Sequence, residues 1–213
     1  MKLVVFGASG DCGSHFVRLA TMRGHDVTAI VRATSRYVSP ERVTVVRGDV
    51  LDEAFAAGVI PGHDAVMSGL GMRYKHPWAK RESPDDFTYR ATLNIVSGMK
   101  PAAVRRISVI SAAGVGDSRA VLNWPMRFLL ATSNVGTAYA ALERAEHVLR
   151  ESGLDWQAVR PTTLTRKAAT GRVRITNRYP ATAGIPREDV AAFMLREIES
   201  REFTERTPII TAA

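Results

Sequence analysis

The chain has 213 residues, 46% of them hydrophobic, with 29 Lys and Arg against 21 Asp and Glu, a formal charge of +8 and one cysteine. That length and apolar content suit one large α/β domain over 1–213, and a single cysteine excludes an internal disulfide and a multi-cysteine metal site. No apolar run is long enough for a membrane span, the chain enters a strand directly, and the basic residues are dispersed without a stacking motif, so the expectation is a cytoplasmic protein with neither membrane nor nucleic acid as partner, monomeric or homodimeric.

The first element is the apolar strand Leu3-Val4-Val5-Phe6, which breaks into Gly7-Ala8-Ser9-Gly10-Asp11-Cys12-Gly13 and then an amphipathic helix carrying Phe16, Val17, Leu19 and Ala20. A pyrophosphate needs backbone N–H groups at close range and no Cβ in the way. Gly7 permits the tight turn, Gly10 the approach of the phosphates and Gly13 close packing of helix on strand, while the helix dipole favours negative charge. Ser9, Asp11 and Cys12 complete the loop. Cys12 near a helix N-terminus reads either as a thiol of lowered pKa or as a small residue filling the turn.

Strands follow at 26–31, 43–47, 64–67, 106–110 and 156–159, with helices at 84–99 and 137–151. This alternation predicts a single Rossmann-like, doubly wound parallel sheet with ligands at the carboxyl ends of its strands. The last third predicts a strand at 172–175, a helix at 187–198 entered through Pro186 and a strand at 207–210, forming a small C-terminal cap on the substrate side. Residues 69–83 and 112–136 read as long pocket-shaping loops.

An NAD-selective site places an acid after the second strand, where it holds the ribose 2′-hydroxyl. Here Val31 is followed by Arg32-Ala33-Thr34-Ser35-Arg36. Two guanidinium groups and nearby hydroxyls, Ser35 among them, fit a 2′-phosphate, so NADP(H) is the expected cofactor. After the third strand, Asp49 can accept from the adenine amino group while Val50 packs on the ring; Asp49 as the cap of a helix beginning near Leu51 is the other reading. Gly69, Leu70 and Gly71 let the backbone run beside the ribose.

Several motifs run over most of the chain: Gly7-x-x-Gly10-x-x-Gly13, Val31-Arg32, Gly48-Asp49-Val50, Asp64-Ala65-Val66 with Gly69 and Gly71, Asn94-Ile95-Val96, Val109-Ile110-Ser111 and Val159-Arg160-Pro161. With these the chain resembles an atypical short-chain dehydrogenase/reductase. The stretches at 147–154 and 187–195 bring it nearer the NAD(P)H-binding group of NmrA-like and biliverdin reductase B-like (flavin reductase) proteins. The resemblance implies a Rossmann-like single domain, NADPH as preferred cofactor, Ser111 beside the nicotinamide, and Pro161, Thr162 and Thr163 at the carboxamide edge.

One departure from that family matters more. The usual Tyr-x-x-x-Lys pair uses lysine to lower the tyrosine pKa for proton transfer. Tyr139 is followed four residues later by Glu143, and alignment through 149–154 puts Leu142 at the lysine position. A carboxylate disfavours phenolate, so Tyr139 is a poor acid/base and alcohol dehydrogenation is not expected. The candidate catalytic positions are Ser111, Tyr139 and Glu146. Ser111 holds nicotinamide ribose or substrate, or simply ends a strand; Glu146 faces the nicotinamide side, or pairs with Arg150 one turn on.

The expected activity is hydride transfer from NADPH to a planar flavin-, quinone- or tetrapyrrole-like acceptor. An NADP(H)-responsive regulatory protein without turnover is the alternative. Tyr74, His76 and Trp78 in the first long loop, and Trp124, Pro125, Met126 and Phe128 in the second, offer surface for a flat acceptor or seal the core. Arg73, Lys75 and Arg127 are candidates for an anionic substrate group.

Overall fold

Leu3 and Val5 on one face of the first strand, and Val4 and Phe6 on the other, are all buried, which requires layers on both sides of it. A computed structural model describes residues 1–72, 75–80, 82–180, 184–200 and 202–213. In chain order its strands are β1 (Lys2–Phe6), β2 (Asp26–Val31), β3 (Val43–Arg47), β4 (Ala65–Ser68), β5 (Arg106–Ile110), β6 (Asp155–Pro161), β7 (Leu164–Thr165), β8 (Val173–Ile175), β9 (Ile185–Pro186) and β10 (Ile209–Ala212). Eight form one sheet in the order β3-β2-β1-β4-β5-β6-β10-β8, parallel except for β8 against β10. The order reverses at β1, so the ends of β1 and β4 open a crevice at the carboxyl edge.

On one face lie α1 (Asp11–Met22) and α6 (Arg187–Glu199), where Phe16, Val17 and Ala20 meet Val190, Phe193 and Met194 over Leu3 and Val5. On the other lie α2 (Glu53–Gly58), α3 (Phe87–Met99) and α5 (Asn134–Arg150), whose Ile95, Met99 and Leu149 pack on Val4, Phe6 and Ile107. Each such large apolar side chain contributes about 1.5–3 kcal/mol on burial. This is the doubly wound architecture that the strand and helix periods predict. Among the described residues no helix is long and apolar enough to cross a membrane.

The structure departs from expectation in the long segment 112–136, which is not an open loop. It holds a 3-10 turn at Gly116–Val121 and a helix, α4 (Trp124–Thr132). Asn123 accepts from the Met126 amide to cap that helix, Pro125 sits in its first turn, and Leu130 packs with Val135 of α5. Ser133 then caps α5, which starts three residues earlier than the apolar period suggests. Asp49 does not cap α2: Asp52 does, accepting from Ala54 and Phe55, while Asp49 accepts from Leu51 at 2.9 Å in a local turn.

The C-terminal pieces divide between two tasks. β10 enters the sheet beside β6 and carries β8 on its outer edge. The cap region itself is the short parallel pair β7 and β9, in register through Leu164 with Ile185, which two-residue strands do not announce in a sequence. It stands at the carboxyl edge next to α6.

Candidate functional site

Gly7 follows β1 with φ +76°, a conformation that L side chains rarely adopt. The turn closes through the Gly10 amide donating to the Gly7 carbonyl at 2.9 Å. A Cβ on Gly13 would lie 2.2 Å from that same carbonyl oxygen, so Gly13 is required for α1 to approach the turn. Gly10, the residue before α1, provides no side-chain cap, which leaves the first-turn amides of the helix to an anion. Gly69 joins the turn to β4 by donating to the Phe6 carbonyl at 2.9 Å.

From this turn runs a cleft of about 690 Å³. Gly7, Ser9, Gly10, Asp11 and Cys12 line its middle; Ile30, Val31, Arg32, Gly48, Asp49 and Val50 line one end; Gly69, Leu70, Gly71 and Ile110 lead to the other. Most of the nucleotide-binding residues expected from sequence therefore meet in one place. Glycine where a Cβ would obstruct, apolar walls at Ile30 and Val50, and a cation at Arg32 fit a dinucleotide. Ser35 and Arg36 do not line this cleft. Ser35 Oγ instead accepts from the Tyr37 amide at 3.2 Å.

Sequence reasoning missed Arg166 and Arg187, which line the same cleft from the cap. Both pair with Asp11, at 3.5 Å and 3.2 Å. The available signal is weak: Arg187 opens α6 directly after Pro186. Of the thiol's two readings, the filled turn holds. Cys12 is buried, and desolvation pushes its pKa up to about 11 despite nearby Arg187, the reverse of activation.

Beyond Ile110 the strand pairing continues, with Ser111 donating its amide to Val159 at 2.7 Å and Ala113 to Pro161 at 3.0 Å. This aims Ser111 at α5, where its hydroxyl donates to Glu146 Oε1 at 2.5 Å. Arg160, on β6, donates through Nε to Glu146 Oε1 at 3.0 Å and through a terminal nitrogen to Oε2 at 2.5 Å. The guanidinium also reaches Asp117 at 2.7 Å. Ser111, Glu146 and Arg160 are 5%, 2% and 1% exposed. Glu146 is thus held by Ser111 and Arg160; a pairing with Arg150 is not what it makes.

Burial alone pulls the Arg160 pKa down, but hydrogen bonds to Glu146 and Asp117 outweigh it and leave it raised. The Arg160 hydrogen bond holds the mostly exposed Asp117 carboxyl below its ordinary value. An arginine inside an apolar strand must find carboxylates, and Val159-Arg160-Pro161 signals that need. The partners, 14 and 43 residues away, are not readable locally.

Tyr139 donates its hydroxyl to the Ala113 carbonyl at 3.1 Å. Leu142, at the position of the usual lysine, lines a small hole beside Ser111. Pro161, Thr162 and Thr163 leave β6 outside the cleft lining: Thr162 bonds Thr211 at 3.1 Å and Thr163 bonds the Tyr179 hydroxyl at 2.7 Å. Among the described residues the expected platform is not assembled over the cleft; Met126 packs on the buried cluster of Leu122, Leu130 and Val135, while the described aromatic rings do not seal the core. Trp78, Trp124 and Phe128 are exposed, and Trp78 lines a separate cleft with Lys80, Asp85 and Asn134. His76 is exposed, Lys75 lines the dinucleotide cleft, and Arg127 donates to the Leu122 and Ala120 carbonyls. Arg73 and Tyr74 lie outside the described residues.

A protein family described as NAD(P)H-binding matches residues 7–201, from the glycine turn to the end of α6. The chain belongs to that family. Among relatives of this NAD(P)H-binding protein, YwnB of Bacillus subtilis is 25% identical over 229 residues, covering 100% of both chains. The solved structure of ChuY from Escherichia coli O157:H7, described as an anaerobillin reductase, superposes with TM-score 0.81 at 22% identity, over 99% of this chain and 96% of that one. A short-chain dehydrogenase/reductase from Veillonella parvula in complex with NADP superposes with TM-score 0.79 at 16% identity, over 98% and 93%. The family is thus NAD(P)H-binding, and the fold is the one shared with these two solved structures.

Proposed function

We propose that this protein is a cytoplasmic NADPH-dependent reductase of a planar conjugated acceptor of flavin, quinone or tetrapyrrole type, working as one domain without a tyrosine–lysine pair. The observation that carries this reading is the nature of the cleft: a glycine turn and Arg32 suited to a phosphorylated dinucleotide, adjoining a hole lined by Ser111 and by Leu142, where the family resemblance expects a lysine. An acceptor whose conjugated system spreads the incoming charge needs orientation more than an enzyme acid. The ChuY structure, described as an anaerobillin reductase, and the structure in complex with NADP support the same reading.

Bound NADPH supplies a hydride from its nicotinamide ring. The chain's own residues do the rest of the work. The first-turn amides and Gly10 receive the diphosphate, Arg32 pairs with the adenosine 2′-phosphate, Asp49 and Val50 take the adenine, and Leu70 and Ile110 keep water from the reacting edge. The test is to mix protein, NADPH and an acceptor panel of flavin, quinone and linear tetrapyrrole and follow reduced-nicotinamide absorbance. Turnover well above the rate without protein is expected, and Tyr139→Phe should retain it. Tight NADPH binding with no consumption across the panel would overturn the reductase in favour of a nucleotide-sensing protein. Arg32→Ala should weaken NADPH about tenfold or more while leaving NADH nearly unchanged; equal losses would remove Arg32 from that role.

A further inference from the structure

Between the ends of β4 and β5, α3 and α5 lies a hole of about 10 Å³, lined by Ser68, Thr88, Thr92, Ser111, Leu142 and Glu146 among others. Leu70 and Ile110 line both this hole and the dinucleotide cleft, so the two adjoin. Its volume takes the polar tip of a group and not a ring. Two of its hydroxyls have unequal capacities. The Ser111 proton is committed to Glu146 at 2.5 Å, and Glu146 also accepts two hydrogen bonds from Arg160 at 3.0 Å and 2.5 Å, so both carboxylate oxygens act as acceptors. Ser111 therefore has only lone pairs left to offer. Thr88 Oγ1, on a residue 5% exposed, is buried with no hydrogen-bond partner and retains its donor.

We propose that this hole is a recognition site for an amide edge, in which Ser111 accepts from N–H and Thr88 donates to the adjacent C=O, with Glu146 and Arg160 as positioning residues that fix the polarity of Ser111. This rests on the NADPH reading above and deepens it. A serine at this strand end that donates would polarise a carbonyl oxygen; this one is turned the other way. It rejects an edge presenting only C=O to it, because two acceptors would then face each other in a buried site. The amide edge has two sources, the carboxamide of the cofactor and the lactam edge of a planar acceptor.

Binding calorimetry separates them with two matched pairs: NADPH against its 3-acetylpyridine analogue, which keeps C=O and lacks N–H, and lumiflavin against 3-methyllumiflavin on the NADP-loaded protein. The unaltered protein should prefer the N–H member of one pair about tenfold. Ser111→Ala should erase that preference, and Glu146→Gln, which frees the Ser111 proton, should reduce it severalfold while NADPH still binds. Loss of preference in the first pair assigns the site to the carboxamide, and in the second to the acceptor. Thr88→Val, equal in volume, should weaken both members of the same pair equally and spare the other pair, which a folding defect does not do.

No preference in either pair, or equal weakening of every probe in Ser111→Ala, would overturn the proposal while leaving the cofactor reading standing. Absence of heat with any pyridine nucleotide in the unaltered protein would overturn both.

Discussion

The glycine turn and the buried Ser111–Glu146–Arg160–Asp117 chain sit at opposite ends of one problem. The turn recognises by removing side chains: Gly7, Gly10 and Gly13 let backbone amides approach an anion, and the contacts that close it, Gly10 on the Gly7 carbonyl and Gly13 against the same oxygen, lie within seven residues. The buried chain recognises by adding them, bringing charged groups from β6, α5 and the 3-10 turn into a site where an unpaired charge is costly. A site built from missing atoms is robust to its surroundings but intolerant of any gain. One built from paired charges tolerates no single loss.

The largest expected effect breaks the second kind. Arg160→Met should destabilise the protein by about 3–5 kcal/mol, because it leaves the Glu146 carboxylate buried without its partner. The double variant Arg160→Met/Glu146→Leu should recover much of that loss. Urea unfolding of the four-member cycle measures both; a double variant as unstable as the sum of the singles would mean that the residues act independently.

Gly13→Ala tests the first kind. Its new methyl meets the Gly7 carbonyl oxygen, and the expected cost is about 1–3 kcal/mol with loss of measurable nucleotide binding. Unchanged calorimetric affinity would show that α1 can withdraw from the turn without harm.

The smallest effect sharpens the comparison where the two regions differ in charge. With its pKa at about 11 against an ordinary 9.0, native Cys12 should react with iodoacetamide at pH 8 about a hundredfold more slowly than in the urea-unfolded chain. Since the folded value is the raised one, the contribution of this thiol to stability is complete below pH 9 and falls as pH rises from about 9 toward 11. Equal alkylation rates in the two states would contradict the burial.

The same contrast explains what was legible in the sequence. β2 and β5 could be bounded to the residue because buried parallel strands read as apolar runs, and β3, a half-buried edge strand, by its β-branched Val43-Thr44-Val45-Val46. The glycine turn and most of the cleft's lining follow from spacing, Ser35 and Arg36 excepted. The helix α4 was hidden because its apolar residues alternate with exposed Trp124 and Phe128, which blur the helical period, although Asn123 and Pro125 mark its start. At the far end, Ser111 and Glu146 were legible as candidates, but Arg160 and Asp117 were not. Their partnership depends on strand order and on where a turn falls, neither of which a local pattern contains.

The Asp11 pairs with Arg166 and Arg187 fasten the glycine turn to the cap through charges that face solvent, Asp11 being 54% exposed at its side chain. Mobile ions weaken such a clasp, while the apolar contacts between α1 and α6 beneath it are indifferent to them. An incoming diphosphate is a stronger rival for the same two guanidinium groups than dissolved salt is. A diphosphate held in the cleft would therefore exchange an internal fastening for an external one, with the ligand as the clasp between the first turn of the chain and its last third.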